Sequence, residues 1–287
     1  MTDSDNNKVI QTAWLTAYPR IFSDIPLSVE IFEELEKIRK EDGIEVSETL
    51  KVSRLAPELE ARYKLVNRLL GQNNSRQILE LASGLSSRGF IMSQDPSVNY
   101  VELEFSQMVD DKRKIMKALI SNGKLTLGDN FHFEAGSALN LSDIKQAIKH
   151  FKRDQPITII NEGLLRYLTF PEKAIVAKNI QAILKEYGGV WITPDITLQK
   201  FLKTQDELIP GKNDEIQKMT NKNFNQNRFE NVEQAKEFFE NLGFSVEKHS
   251  WLEIINELVS PQKLDISEDE VRKMISPAVV FVLRLRE

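Results

Sequence analysis

The sequence predicts an α/β fold built on a mostly parallel β-sheet with helices on both faces. Short apolar runs alternate with helical patterns from Gln77 to Thr193. The run 157–160 is β-branched at every position, which favours a strand buried on both sides. Strands and helices that alternate in this way form parallel sheets, because each helix carries the chain back to the edge where the next strand begins.

Seven apolar runs have the length and composition of strands. Helices are predicted near 86–93, over 107–121, and after Thr169, which forms a capping box with Glu172. A later helix begins after the N-cap candidate Asn231, and the last two apolar runs suit a hairpin at the edge of the sheet. The seven predicted strands are 78–81, 99–105, 131–135, 157–160, 190–193, 244–247 and 278–283.

Residues 1–75 are predicted to form a helical cap, because no strand pattern occurs in this region. Ser28 is the N-cap candidate of one helix, and a second helix begins at Pro57. We therefore divide the chain into a cap, 1–75, and a core, 76–287. Within the core, residues 196–230 are polar and lose the pattern, which is typical of a lid or an insertion on the substrate side.

Composition limits the classes of function that the chain can have. The 287 residues are 41% hydrophobic and 28% charged, as in a soluble globular protein. A net charge of −5 argues against nucleic acid as a partner, since such proteins carry a basic surface. Cysteine is absent and the three histidines lack metal-ligand spacing, so we expect no disulfide and no metal. With no leader pattern and no long apolar run, we expect a cytoplasmic protein without membrane association.

The turn Ala82-Ser83-Gly84 follows the first strand and consists of small residues, which let a ligand approach the backbone closely. Glu104 stands 20 residues after Gly84, near the end of the second strand. Nucleoside-binding α/β folds place an acid about 20 residues beyond such a turn, where it accepts the ribose hydroxyls. The alternative is a solvated glutamate at a strand tip. The glycine pattern of dinucleotide sites and the lysine of a P-loop are both absent, which disfavours an NAD-linked enzyme.

Ligands of open α/β sheets bind beyond the carboxyl ends of the strands. After the second, third and fourth strands this chain places Glu104-Phe105, Asn140-Leu141 and Glu162-Gly163. These turns contain no lysine or arginine to meet a phosphate, so the set favours a nucleoside with a cationic tail, such as adenosine joined to a sulfonium amino acid. In this interpretation Glu104 holds the ribose, Asn140 and Leu141 contact adenine, and Glu162 lies near the ammonium group.

Four segments resemble the successive motifs of the leucine carboxyl methyltransferase family, in order and spacing, from about residue 54 to 195. They are ELASGLSSRGF, VELEF, SALNLSD and NEGLLRYLTFPE, and the opening TAWLTAYPR is similar more weakly. The resemblance implies the Rossmann-like class I methyltransferase fold, with seven strands of which the last is antiparallel. It also implies S-adenosylmethionine as the cofactor, S-adenosylhomocysteine as its product, and no metal. The implied cofactor-binding residues are Arg62, Glu80, Ala82, Ser83, Gly84, Glu104, Phe105, Asn140, Leu141, Glu162 and Gly163.

The resemblance gives Arg62 the task of gripping the cofactor's carboxylate, which a guanidinium can bind with two hydrogen bonds. Without the resemblance, its spacing from Glu58 suits a surface ion pair. Three positions depart from the family pattern, since members usually have glycine where Ala82 stands and often aspartate where Glu104 and Asn140 stand. Ala82 costs little only if its φ is negative, because a β-carbon disfavours the left-handed region.

The resemblance implies transfer of a methyl group to a carboxylate or hydroxyl oxygen of a small-molecule acceptor. One alternative is a protein C-terminal leucine as the acceptor. Another, motivated by Ala82 and Asn140, is a catalytically idle module that binds the cofactor. A hydroxyl acceptor would gain from a general base, and the candidates by position are Asp195, His249 and Tyr167. Each of the three also has a plainer interpretation as a loop or packing residue.

Overall fold

The structure is a computed structural model that describes residues 13–41, 43, 52–208 and 227–286. The described residues form one sheet of seven strands. The strands are β1 Gln77–Leu81, β2 Asn99–Glu104, β3 Phe131–Ala135, β4 Ile157–Asn161, β5 Gly189–Thr193, β6 Phe244–Ser250 and β7 Val279–Leu285. Each overlaps the run predicted for it, and the ends differ by at most a few residues.

The strand order is β3-β2-β1-β4-β5-β7-β6. Strands β1 to β5 are parallel, and β7 is antiparallel to both of its neighbours, β5 and β6. This confirms the predicted seven-stranded sheet with an antiparallel last strand, and it confirms the hairpin at the edge. The chain runs outward from β1 to β3 and then returns to β4 on the other side of β1. Loops on either side of this reversal diverge, which opens a crevice at the carboxyl edge.

Helices cover both faces of the sheet, and several begin at the predicted residues. Thr169 and Glu172 form the predicted capping box and Asn231 caps as predicted, whereas Ser28, the predicted N-cap, is the first residue inside its helix. No helix in the described part of the chain is long and apolar enough to cross a membrane. The helices are α1 Ala13–Arg20, α2 Ser28–Glu41, α3 Ala56–Gln72, α4 Arg88–Met92, α5 Ser106–Ser121, α6 Leu141–Ala147, α7 Phe170–Tyr187, α8 Gln199–Leu208, α9 Val232–Asn241, α10 Ser260–Lys263 and α11 Glu268–Ile275.

Helix α3 shares the central core with the sheet. Its residues Leu65, Val66 and Leu69 are buried in the same cluster as Ile78 and Leu79 of β1. Helix α2 packs on α5, and α5 lies on the same face of the sheet as α3. Lys112 of α5 binds Glu102, while Arg88, which Asn67 of α3 binds, contacts Glu80, the residue paired with Glu102 on β1. The described part of the predicted cap therefore packs against the core on the face of Glu80 and Glu102, and the domain boundary at residue 75 stays a prediction.

The structure corrects the expectation that residues 196–230 lack regular structure. Helix α8 occupies the first part of this segment, and Leu198 forms a bridge with Phe229 at its far end. Phe201 of α8 is buried against Trp251, with 5.8 Å between the ring centroids. Tertiary contacts of this kind stabilise a short helix whose sequence is mostly polar. Residues 209–226 of the predicted lid lie outside the described residues.

Candidate active site

The loops that follow β1 to β4 converge on one cavity at the carboxyl edge of the sheet. Its empty volume is about 1020 Å³ including the open mouth. Helix α1 and the segment after β4 complete its wall. The lining residues are Thr16, Arg20, Arg62, Ala82, Ser83, Gly84, Leu85, Leu103, Glu104, Phe105, Met108, Gly136, Ser137, Ala138, Leu139, Glu162, Gly163, Leu164, Arg166, Tyr167 and Leu168.

The turn after β1 has two residues in the left-handed region, Ala82 at φ 55° and Gly84 at φ 52°. The condition for a low cost at Ala82, a negative φ, is therefore not met. Its N–H donates to the carbonyl of Leu103, with 2.8 Å between N and O, which holds the turn against β2. This conformation costs an alanine about 1–2 kcal/mol, whereas it is free of steric cost for glycine. A β-carbon added at Gly84 would meet no atom within 4 Å, so the backbone there is open to a ligand.

Glu104 closes the end of β2 beside this turn. One of its oxygens accepts the N–H of Gly84 at 2.9 Å, and the other accepts the N–H of Phe105 at 2.8 Å. Burial raises the pKa of Glu104, and the two backbone donors oppose that rise. Each carboxylate oxygen keeps a lone pair for a further donor. The carboxylate thus lies beside the turn, as the spacing of 20 residues predicted, and its binding role stays a prediction.

Glu162, directly after β4, is bound by three guanidinium groups. Its Oε1 lies 3.0 Å from Arg20 Nη2 and 3.0 Å from Arg62 Nε, and its Oε2 lies 2.7 Å from Arg88 Nη2. Burial alone would raise the pKa of Glu162, but the guanidiniums of Arg62, Arg88 and Arg20 reverse this and hold it well below its ordinary range. The glutamate is therefore ionised and serves as the shared counter-ion of the arginines.

Arg62 is not on the surface, so the interpretation as a surface pair with Glu58 is wrong. It is 4% exposed, lines the cavity and pairs with Glu162. Its Nε is close to Glu162 Oε1 but is not aligned for a hydrogen bond, and it has no hydrogen-bond partner among the described residues. The same holds for Nε of Arg20, the neighbouring guanidinium. The cavity thus borders two buried cations whose hydrogen-bonding capacity is not used up.

Glu80 lies beneath the cavity and not in its lining. Its oxygens accept hydrogen bonds from Arg88 Nη1 and from the hydroxyl of Tyr100, both at 2.6 Å. Arg88 in turn binds Glu162, so these contacts join β1 to the loop after β4. The geometry fits a supporting position for Glu80 better than direct contact with a ligand.

The predicted adenine contacts Asn140 and Leu141 do not line the cavity. Asn140 is exposed and is the N-cap of α6, where its side chain accepts the N–H of Ser142 at 3.1 Å. The segment 136–139, directly after β3, lines the cavity instead. The small residues of this segment were a sequence signal for a cavity wall. Asn140 was predicted instead, because the sequence alone does not distinguish an N-cap asparagine from one that contacts a ligand.

Asp195, the first candidate base, is occupied by the loop after β4. It is 4% exposed and accepts hydrogen bonds from Asn161 Nδ2 and from the N–H groups of Gly163, Leu164 and Leu165, over 2.7–2.9 Å. A carboxylate that accepts four hydrogen bonds is a clamp for this loop. Asp195 does not line the cavity.

The other two candidate bases differ in position. His249 is on the edge strand β6, next to Glu247 and Glu253, and does not line the cavity. Tyr167 lines the cavity, in the short helical turn Leu165–Tyr167. Of the three, Tyr167 alone lines the cavity, and a catalytic role for it stays a prediction.

Several residues that line the cavity were not predicted from the sequence, among them Thr16, Arg20 and Arg166. Arg20 ends the TAWLTAYPR segment, so the weak resemblance there was its signal. The expectation that these turns contain no arginine is wrong, because the loop after β4 extends beyond Glu162-Gly163 and includes Arg166. Its Nε also lacks a hydrogen-bond partner among the described residues.

A sequence model of the leucine carboxyl methyltransferase family matches residues 29–181, more than half of the chain. The chain belongs to the leucine carboxyl methyltransferase family. The matched segment contains the turn after β1, Glu104, Glu162 and Arg166, so most of this family member's cavity lies within it. No curated protein sequence matches the chain significantly.

One solved structure with a TM-score above 0.5 shares the fold of this family member, and others are similar to it at lower scores. A DUF574 family protein from Streptomyces avermitilis superposes with a TM-score of 0.53 at 13% identity, covering 96% of this chain and 97% of that one. Magnesium protoporphyrin IX methyltransferase from Synechocystis, with bound SAH, has a TM-score of 0.48 at 12% identity and covers 88% and 94%. An O-methyltransferase family protein from Burkholderia thailandensis has a TM-score of 0.46 at 13% identity and covers 90% and 72%. Together with the strand order, the family establishes the class I methyltransferase fold.

Proposed function

We propose that the protein is an S-adenosylmethionine-dependent methyltransferase that transfers a methyl group to an oxygen atom of a small-molecule acceptor. One observation carries the proposal: the cavity has a carboxylate, Glu104, at the end of β2 and two guanidiniums, Arg20 and Arg62, around Glu162 at the end of β4. Strand β1 lies between them, so the two groups are about 10 Å apart along the sheet edge. This spacing suits an extended ligand with a ribose at one end and a carboxylate at the other.

The residues present fit this cofactor. Glu104 has a lone pair on each oxygen for the two ribose hydroxyls, and the open backbone at Gly84 leaves room beside it. Arg20 and Arg62 have unpaired buried Nε–H groups near the place where the amino-acid carboxylate would lie. Segment 136–139 and Phe105 would flank the adenine ring of the cofactor. The groups that a nucleoside and a carboxylate need are therefore both in one cavity.

The charge around Glu162 argues for the carboxylate and against the ammonium at this place. Three guanidiniums converge on the single carboxylate of Glu162, and two of them, those of Arg20 and Arg62, line the cavity. Such a cluster attracts an anion. We therefore assign Glu162 the role of orienting Arg20 and Arg62, in place of the ammonium contact expected from the sequence.

An ionised oxygen is the acceptor that the cavity serves best. No histidine occurs among its lining residues within the described chain, Glu104 and Glu162 are both held by other groups, and Tyr167 is the one predicted base that lines it. A hydroxyl acceptor needs a group that takes its proton, whereas a carboxylate does not. Arg166 adds a cation to the lining that can orient an anionic acceptor. We therefore favour a carboxylate over a hydroxyl.

The chemistry asks little more of the protein than position and exclusion of water. S-Adenosylmethionine, when bound, supplies a methyl group activated by a positively charged sulfur. Leu85, Met108, Leu164 and Leu168 give the cavity an apolar wall that disfavours water beside the reacting atoms. Placing an acceptor oxygen in line at near-attack distance then supplies most of the rate enhancement.

Calorimetric titration of the protein with S-adenosylhomocysteine tests the cofactor, and its failure to bind would overturn the proposal. The acceptor is tested by transfer of a labelled methyl group to a panel of small carboxylic acids and phenols, beside a peptide that ends in leucine. Transfer to the small acids supports the proposal. Transfer to the peptide alone would establish the protein-carboxylate alternative, and binding without transfer to any member would favour the idle module.

A further inference from the structure

Two carboxylates of β2 hold successive residues of the turn after β1. Glu104 accepts the N–H of Gly84. Glu102 points to the same face of the strand and accepts the hydroxyl of Ser83, with 2.8 Å between Ser83 Oγ and Glu102 Oε2. Ser83 lines the cavity and Glu102 does not. Glu102 therefore reaches the cavity through Ser83.

Glu102 is fixed in place by the elements around it. Lys112 of α5 lies with Nζ 2.6 Å from Glu102 Oε2, the same oxygen that Ser83 binds, and the two side chains are 2% and 0% exposed. Gly89 of α4 is so close that an added β-carbon would stand 2.5 Å from Glu102 Oε1. The glutamate thus has no room to turn away from Ser83.

Lys112 governs the charge that Ser83 meets. Burial raises the pKa of Glu102 to about 7, with Lys112 opposing the rise and Glu80 of the neighbouring strand adding to it. Without the ammonium group the carboxyl would be protonated at neutral pH. A protonated carboxyl accepts a weaker hydrogen bond than a carboxylate, so Ser83 would be held less firmly.

The turn needs this restraint because Ala82 is held in a conformation that alanine disfavours. A turn that relaxes would move the Gly84 backbone, which forms the open part of the cavity wall. We propose that Glu102 and Lys112 are positioning residues, which hold the turn through Ser83 and so raise the affinity for the adenosyl cofactor without touching it. This inference rests on the proposed function.

The test is a double-mutant cycle read as the Kd of S-adenosylhomocysteine. At about pH 8.5, above the pKa of Glu102, Lys112→Met and Glu102→Gln should each weaken binding about fivefold, because a charge-assisted bond becomes a neutral one. In the Ser83→Ala background the same substitutions should change Kd less than about 1.5-fold, since the path through the hydroxyl is gone. If the two residues served the fold alone, their substitution would lower the unfolding free energy. The loss of affinity would then be the same in the wild-type and Ser83→Ala backgrounds.

Lys114→Met is the matched control, because Lys114 lies on the same helix and is exposed. It should leave Kd unchanged. If Lys112→Met does not fold, the cycle with Glu102→Gln decides, since that substitution conserves shape. Losses that simply add to the Ser83→Ala loss, or an unchanged Kd in both variants, overturn the inference while the proposed function stands. No binding by the wild type would overturn both.

Discussion

Glu162 and Arg62 form a buried ion pair in the cavity wall, with 3.0 Å between Oε1 and Nε. Arg20 and Arg88 bind the same carboxylate, so one residue after β4 organises side chains from α1, α3 and α4. Removing Glu162 would leave three buried guanidiniums with less compensation, which is far costlier than losing one arginine. The arginines are therefore the better sites for mutation, and Glu162 explains why they are held in place.

Arg62→Met should weaken binding of S-adenosylhomocysteine by about tenfold or more, because a charge-assisted hydrogen bond to the carboxylate of the ligand's amino-acid tail is lost. Binding of 5′-methylthioadenosine, which has no amino-acid tail, should change less than about twofold by the same reasoning. Calorimetric titration of both ligands measures the contrast. Equal losses for the two ligands would mean that Arg62 acts on the fold and not on the carboxylate.

Glu104→Gln should weaken both ligands alike. The amide offers a single uncharged acceptor in place of two carboxylate oxygens, so at least one ribose bond is lost, at a cost of about tenfold in Kd. Both ligands carry the ribose, which makes this variant the counterpart of the arginine variant in the same assay. A wild-type Kd in a folded Glu104→Gln protein would remove Glu104 from the binding site.

Glu102 should make stability depend on pH in a definite window. Its pKa is raised from 4.5 to about 7, so the folded state binds its proton more tightly than the unfolded state. The stability from this proton is present below about pH 4.5 and is lost as pH rises to about 7. The glutamine of Glu102→Gln does not titrate. The unfolding free energy of the variant minus that of the wild type should therefore increase as pH rises over this range. Urea unfolding at pH 5, 6 and 7 measures the difference, and a constant or falling difference contradicts the assignment.

Ala82→Gly should stabilise the protein slightly. Glycine removes the left-handed strain of about 1–2 kcal/mol and adds about 0.5–1 kcal/mol of unfolded-state entropy, which leaves a gain of about 0.5 kcal/mol. Ala118→Gly, in the interior of α5, is the control and should cost about 1 kcal/mol. Urea unfolding gives both values. The two substitutions should thus have opposite signs, and a loss at Ala82 would mean that its β-carbon makes contacts worth more than the strain.

Asp195→Asn should lower stability by about 1–3 kcal/mol, because an amide cannot accept all four of the hydrogen bonds that the carboxylate accepts. If Asp195 is a clamp and not a base, the shape of the pH–rate profile should be the same as in the wild type. Thermal unfolding and methyl-transfer rates between pH 6 and 9 separate the roles. Disappearance of an acid limb from the rate profile would restore Asp195 as a base.

Local sequence patterns predicted most of the fold because the interactions behind them are local. The capping box at Thr169 and the β-branched strand 157–160 depend on neighbouring residues alone. Helix α8 was missed because its stability comes from Phe201 packing on Trp251, about 50 residues away in the chain. Helix α11 was missed although Ser267 and Glu270 form a capping box, since its few apolar positions did not stand out.

The candidate site was predicted unevenly for the same reason. Glu104 beside Gly84 follows from a fixed separation between a turn and the next strand, which the βαβ unit imposes. The partners of Glu162 come from three helices far apart in the chain, and no spacing rule links them. Asn140 shows the limit in the other direction, because one residue type serves equally as an N-cap and as a ligand contact.

The sequence by itself determined the alternation of strands and helices, the turn after β1, the acid that faces it and the family to which the chain is similar. Tertiary structure alone decided which charges meet: that Glu162 binds three arginines, that Glu102 binds Lys112, and that Asp195 is occupied. Secondary structure is governed by residues three or four positions apart, whereas buried ion pairs form between groups that only the packing of the whole chain brings within 3 Å.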